Sequence, residues 1–155
     1  MLLDYRDYPR RFAPEVVRAA IVSRSADELR AKLRFRQKHV LIVVLDATYD
    51  VRFGQLDTGH RYSISRSTSI KEIWRAGSPA ERALSVREEH GFLWRQNTYW
   101  SCEEQDGGLL IQIETISLTR AIPHGLGWAL RPYVESIPRE TLDFTLTRVR
   151  DALRR

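Results

Sequence analysis

The sequence is sparing with several residue types, and each scarcity narrows its chemistry. One cysteine, Cys102, occurs in 155 residues. That excludes an intramolecular disulfide and any multi-cysteine zinc site. Lysine is almost missing: the 25 basic residues are arginines apart from Lys32, Lys38 and Lys71. Long apolar runs are missing too. The longest covers residues 40–45, far short of the ~20 residues that span a bilayer, so a transmembrane helix is excluded. A secretory leader has a basic segment, an apolar stretch and a small-residue cleavage site. Here Met1-Leu2-Leu3 passes directly into Asp4-Tyr5-Arg6-Asp7. As written, the chain is expected in the cytoplasm.

Catalytic and metal signatures are equally scarce. His39, His60, His90 and His124 include no pair at helical i, i+4 spacing and no His-Glu-x-x-His pattern. Glu88-Glu89-His90 clusters an imidazole with acids, yet adjacent residues seldom converge on one ion. No metal site and no cofactor are expected. There is no Gly-x-Ser-x-Gly elbow and no phosphate-binding loop, and Gly125-Leu126-Gly127 is too short to argue for phosphate. Cys102 lacks a histidine partner in the pattern and reads as a small core residue. No catalytic residue is assigned.

What is present describes a single domain over residues 1–155, with 43% apolar and 29% charged residues. A chain of this size buries roughly 68–70% of its unfolded surface and needs no staples. The net charge is +5 and the pI about 9.7, one footprint of a nucleic-acid binder. The cations are dispersed among acids, however. The densest sets are residues 30–38 and Arg148, Arg150, Arg154 and Arg155. A solvated basic face is expected, not a nucleic-acid partner.

Alternation is the strongest local signal. Leu29, Ala31, Leu33 and Phe35 alternate with Arg30, Lys32, Arg34 and Arg36, which marks a strand with one dry face. The odd apolar parity continues to Phe53, too long for one strand. A break is expected near residues 37–39 or 46–48. Further strands are expected at residues 16–23, 61–70, 92–104 and 109–120. Residues 25–27 read as a hairpin loop. Asp106-Gly107-Gly108 reads as a tight turn, because glycine supplies positive φ. In 61–70, Tyr62, Ile64, Arg66, Thr68 and Ile70 share one face, and four serines with Arg61 share the other. Residues 76–89 read as a surface loop. Residues 2–12 suggest a short helix. Near the end the period becomes helical: Ser136 reads as a cap, Pro138 as first turn, and Leu142, Leu146, Val149 and Leu153 as an apolar stripe. The expected class is α+β, a curved antiparallel β-sheet wrapped around a long C-terminal α-helix.

The order and spacing of several segments resemble the START-like (SRPBCC, helix-grip) superfamily, particularly its uncharacterised bacterial members. They are Asp4-Tyr5-Arg6-Asp7-Tyr8-Pro9, Val40 to Asp46, Gly91-Phe92-Leu93-Trp94-Arg95, Tyr99-Trp100, Glu114 to Arg120, Ile122-Pro123, Gly125-Leu126-Gly127-Trp128 and Ile137-Pro138-Arg139-Glu140. Together they cover most of the chain. The resemblance implies a helix-grip fold without the usual N-terminal strand, and a periplasmic or secreted protein if a signal segment precedes Met1. It leaves the strand at 109–120 without its usual neighbour, an edge that invites a homodimer.

Polar residues on apolar faces are the functional clue. Gln96 and Thr98 lie among Phe92, Trp94, Trp100 and Cys102, and Arg66 lies among Tyr62, Ile64 and Ile70. Such groups need partners when buried. The functional reading is a mostly apolar pocket with a few polar anchors. Its wall is Phe35, Trp94, Trp100 and Ile113, with Leu142 and Leu146 from the helix. Gln96, Thr98 and Arg66 are the polar candidates, with Arg66 suited to an anionic headgroup. The alternative turns these residues outward or pairs Arg66 with a carboxylate. Trp128, between Pro123 and Pro132, caps the entrance, touches a membrane surface transiently, or anchors the last helix. The expected partner is a lipid, isoprenoid or polyketide. A cyclase- or hydratase-type enzyme is the second reading, with Glu114 and Tyr99 as nearest candidates on outward faces. A basic module for nucleic acid or protein is the third.

Overall fold

The computed structural model of the chain describes residues 3–38, 42–91, 93–119 and 127–154, with the side chains of the last helix described from Arg139 onward. A 3-10 turn (Tyr5–Asp7) leads into the one-turn helix α1 (Tyr8–Arg11). Among the described residues seven strands follow: β1 (Val16–Arg24), β2 (Glu28–Lys38), β3 (Ile42–Gln55), β4 (His60–Trp74), β5 (Arg82–Ala83), β6 (Arg95–Gln105) and β7 (Gly108–Leu118). The helix α2 (Gly127–Leu153) closes the chain. All strand pairs are antiparallel, in the order β1-β2-β3-β4-β6-β7, with β5 paired to β4 on the side. The protein is thus of α+β type, a sheet with a C-terminal helix.

The dry face follows the odd parity. Leu29, Ala31 and Leu33 on β2 sit opposite Val51, Tyr49 and Ala47 on β3, and all six are buried. They join Leu45, Val16, Ile70, Tyr5 and Phe12 in one cluster. Helix α2 contributes Val149, 1% exposed, with Phe144 packed against the same cluster. The outer face of β2 and β3 carries crossed ion pairs. Arg34 grips Asp46 at 2.6 and 2.7 Å and reaches Glu81 at 2.8 Å. Arg30 grips Asp50 at 2.6 and 3.0 Å. Arg30 and Arg34 of β2 are therefore paired with carboxylates.

Several expectations shift. The long apolar parity is divided between two strands, β2 ending at Lys38 and β3 beginning at Ile42, with residues 39–41 outside the described residues. Asp106 and Gly107 form the β6–β7 turn with φ of 45° and 76°, while Gly108 already begins β7. Helix α2 starts at Gly127, so Ser136 is not its cap, and Pro138 lies inside it. A Ser-x-Pro sequence mimics a helix start; here the turn before it is already helical, and each interior proline leaves one i→i−4 bond unmade. The expected loop at 76–89 contains β5, and Leu84 within it is buried, its N–H donating to the Glu72 carbonyl at 2.8 Å.

Candidate functional site

The face of β4 reverses the expectation. Ser63, Ser65 and Ser67 are buried, at 6–7% exposure, and Arg66 is exposed. The pairing explains why: Phe53, Val51 and Tyr49 lie opposite Ser63, Ser65 and Ser67. A register shift at Thr48/Tyr49 then returns Ile70 and Glu72 to the same buried face. One extra residue in a strand exchanges the faces beyond it. Arg66 therefore stands outside and anchors nothing in the interior.

Small serines make room for phenols, and the phenols use their hydroxyls. Tyr5 Oη lies 3.1 Å from Ser65 Oγ. Tyr49 Oη donates to Gln96 Oε1 at 2.7 Å. Ser67 Oγ accepts the Gln96 backbone N–H at 2.9 Å, and Thr98 and Thr115 hydroxyls meet at 3.3 Å. Burial pushes the Tyr5, Tyr8 and Tyr49 phenols above their ordinary range. They stay protonated at neutral pH and do not serve as bases. The ring of Phe35 meets that of Tyr49 edge-on, with centroids 6.4 Å apart.

This polar band borders a change in packing. On β2 and β3 the inner residues Leu29, Ala31, Leu33, Leu45, Ala47, Tyr49 and Val51 are buried, while Phe35, Val43 and Phe53 are partly so. On β6 and β7 not one residue is buried, although Gln96, Thr98, Trp100 and Cys102 continue the same face, with Ser117, Thr115, Ile113 and Ile111 opposite them. Trp100, Ile111 and Ile113 are half-buried. The inner face thus has a closed apolar half, a hydroxyl-and-amide seam, and an open half with apolar and aromatic side chains.

Of the expected wall, Phe35, Gln96, Thr98, Trp100 and Ile113 share this face. Leu142 and Leu146 are half-buried on α2. Trp94 does not belong: it precedes β6 and is 49% exposed, its backbone N–H donating to the Leu118 carbonyl at 2.7 Å. Alternation counted back from Trp100 fails there because the strand has not begun. The side chain of Trp128 and all of Phe92 lie outside the described residues. Sequence reasoning missed Tyr5, Tyr49 and the three serines. Tyr49 was visible in the odd parity, but nothing in the sequence marked its hydroxyl as a partner for Gln96.

Other candidates give less. Among the described residues no group of three metal-type ligands converges. Cys102 is half-buried and burial pushes its thiol up, away from a reactive thiolate. Tyr99 and Glu114 face each other on the outer side of β6 and β7. His90 Nδ1 lies 2.9 Å from Glu72, and Glu88 pairs with Arg82 at 2.6 Å, so the Glu-Glu-His run disperses. An open groove of about 360 Å³ on α2, lined by Asp143, Phe144, Thr147, Arg148 and Asp151, is wide to solvent. No described helix is long and apolar enough to cross a membrane. No family model, curated protein or solved structure matches the chain.

Proposed function

We propose that this domain binds, and serves to transfer, a hydrophobic small molecule of the lipid, isoprenoid or polyketide class between the inner face of its sheet and α2. The observation that carries this reading is the open half of that face. Inner residues of β6 and β7 continue a buried surface yet remain half-covered, beside hydroxyls and an amide that give orientation. An apolar site with few polar groups is the usual design of a small-molecule pocket. A ligand covering about 200 Å² there would gain about 5 kcal/mol before ordering costs. The resemblance to START-like domains agrees, and in that form the sheet wraps around α2. Trp74 and Trp94, 46% and 49% exposed, would offer such a carrier an amphipathic edge toward a bilayer surface during loading.

The test is a titration with 8-anilinonaphthalene-1-sulfonate, read by probe fluorescence and by quenching of tryptophan emission. One saturable site per folded chain is expected. Thr98→Arg places a charge in the open half and should weaken binding by about tenfold or more. Circular dichroism checks that the variant keeps its sheet. Absence of saturable binding, or equal binding by the folded variant, would contradict the reading.

A further inference from the structure

We propose that β7 is the contact surface for a second copy of this chain, joined as a continuous antiparallel sheet across a two-fold axis. The inference is independent of what the inner face binds.

The two edges of the sheet differ. Strand β1 carries Arg18 and Arg24 and has two register shifts against β2. Charges and bulges are the devices that discourage edge pairing. Strand β7 has neither arginine, lysine nor proline, and it pairs with β6 over all 11 of its residues with no shift. Among the described residues its one neighbour in the sheet is β6. Leu109, Leu110, Ile116 and Leu118 are 44–54% exposed. A long, straight, apolar edge of this kind is a template for another strand. Its one charge is Glu114.

The sequence of β7 is also self-complementary. A two-fold axis perpendicular to the sheet pairs β7 with itself and keeps both inner faces on one side. Centring it on Ile113 overlaps the whole strand, Gly108 to Leu118. Leu110 of each copy then meets Ile116 of the other on the outer face. Glu114 meets Gln112 and not a second Glu114. On the inner face Ile113 meets Ile113, and Ile111 meets Thr115. Moving the centre to Glu114 would set like charges opposite, and moving it to Gln112 would set Glu114 against Leu110. An isologous contact of this kind closes as a dimer and leaves no free β7 edge. It would add about ten backbone hydrogen bonds to the side-chain pairs.

Sedimentation velocity over a concentration series tests the proposal. The wild-type chain is expected to be a dimer at high concentration. Leu110→Lys with Ile116→Lys sets lysine against lysine twice and should raise the dissociation constant by about a hundredfold or more. Leu110→Glu with Ile116→Lys sets opposite charges across the axis and should return the dimer. Both residues are exposed, so the variants should fold, which circular dichroism confirms. A wild-type chain that stays monomeric to millimolar concentration overturns the proposal. So does a dimer indifferent to the lysine pair. A folded but monomeric Leu110→Glu, Ile116→Lys variant overturns it as well.

Discussion

Replacing Glu72 by alanine should destabilise the domain by about 3 kcal/mol, more than any surface substitution. Glu72 is 5% exposed on the buried face of β4, opposite Leu45, which is fully buried. Its carboxylate accepts the backbone N–H of His90 at 3.0 Å and of Gly91 at 2.9 Å, and it lies 2.9 Å from His90 Nδ1. Its own carbonyl accepts the Leu84 N–H. Glu72 therefore ties the middle and the later part of the segment that returns the chain from β4 to β6. Truncation leaves a buried carboxylate's worth of space and strands the Gly91 donor, at roughly 1–3 kcal/mol for each lost partner. Glu72→Gln retains one carbonyl acceptor and should lose about half as much. Chemical denaturation with an unchanged m-value checks this. A loss below about 0.5 kcal/mol for the alanine variant would show that the segment holds without this anchor.

The second large effect is acid sensitivity. Arg34, with a backbone N–H from Gly77, holds the Glu81 carboxyl down to about 2, against an ordinary 4.5. Arg82, with the Ser85 N–H and hydroxyl, holds Glu88 down to about 2. Asp7 and Asp50 are lowered by hydrogen bonds from Arg10 and Arg30, and Asp57 by His60. A carboxyl depressed by folding binds its proton more weakly in the native state. Its stabilisation is present above the unfolded value and is lost as pH falls through the folded one. Stability should therefore decline from about pH 4.5 toward about pH 2. His60 has the opposite sign. Asp57 and then Glu103 raise its imidazole above 6.5, so its contribution is complete below 6.5 and fades as pH climbs through the raised value. These groups are exposed or partly exposed, so added salt should flatten both slopes. Thermal melts between pH 2 and 9, at low and high salt, read both limbs. A stability that does not fall on acidification would contradict the pairing.

How much of this was legible in the sequence can be seen residue by residue. The β2 stripe of Leu29, Ala31 and Leu33 was plain, because alternation with charge on one side identifies both the strand and its dry face. The β6–β7 hairpin was equally plain from Asp106 and Gly107. The inner placement of Gln96, Thr98 and Trp100 followed from the same logic. On β4 the logic failed. Tyr62, Ile64 and Ile70 outweighed the serines by hydropathy, yet the register against β3 and one shift at Thr48/Tyr49 turned the serines inward. Alternation reports a period and does not say which phase faces the core when both are mixed. Ser65 and Ser67 are tolerated inside because Tyr5 and the Gln96 backbone bond to them, partners 60 and 29 residues away. Local pattern carries no signal for such distant pairings. The start of α2 was hidden for a different reason: Ser136 and Pro138 form a plausible helix entry within a segment that is helical from Gly127.

Uptake of a hydrophobic molecule by the open half of the inner face is the proposal with the widest consequences. Native mass spectrometry of the purified chain, followed by organic extraction, tests it most directly. One non-covalent hydrophobic adduct per chain is expected, recovered in the extract and absent from the folded Thr98→Arg variant. A bare chain in every preparation, with no uptake of added dodecanoate, would contradict it and leave the β6–β7 half of the face as sheet surface only.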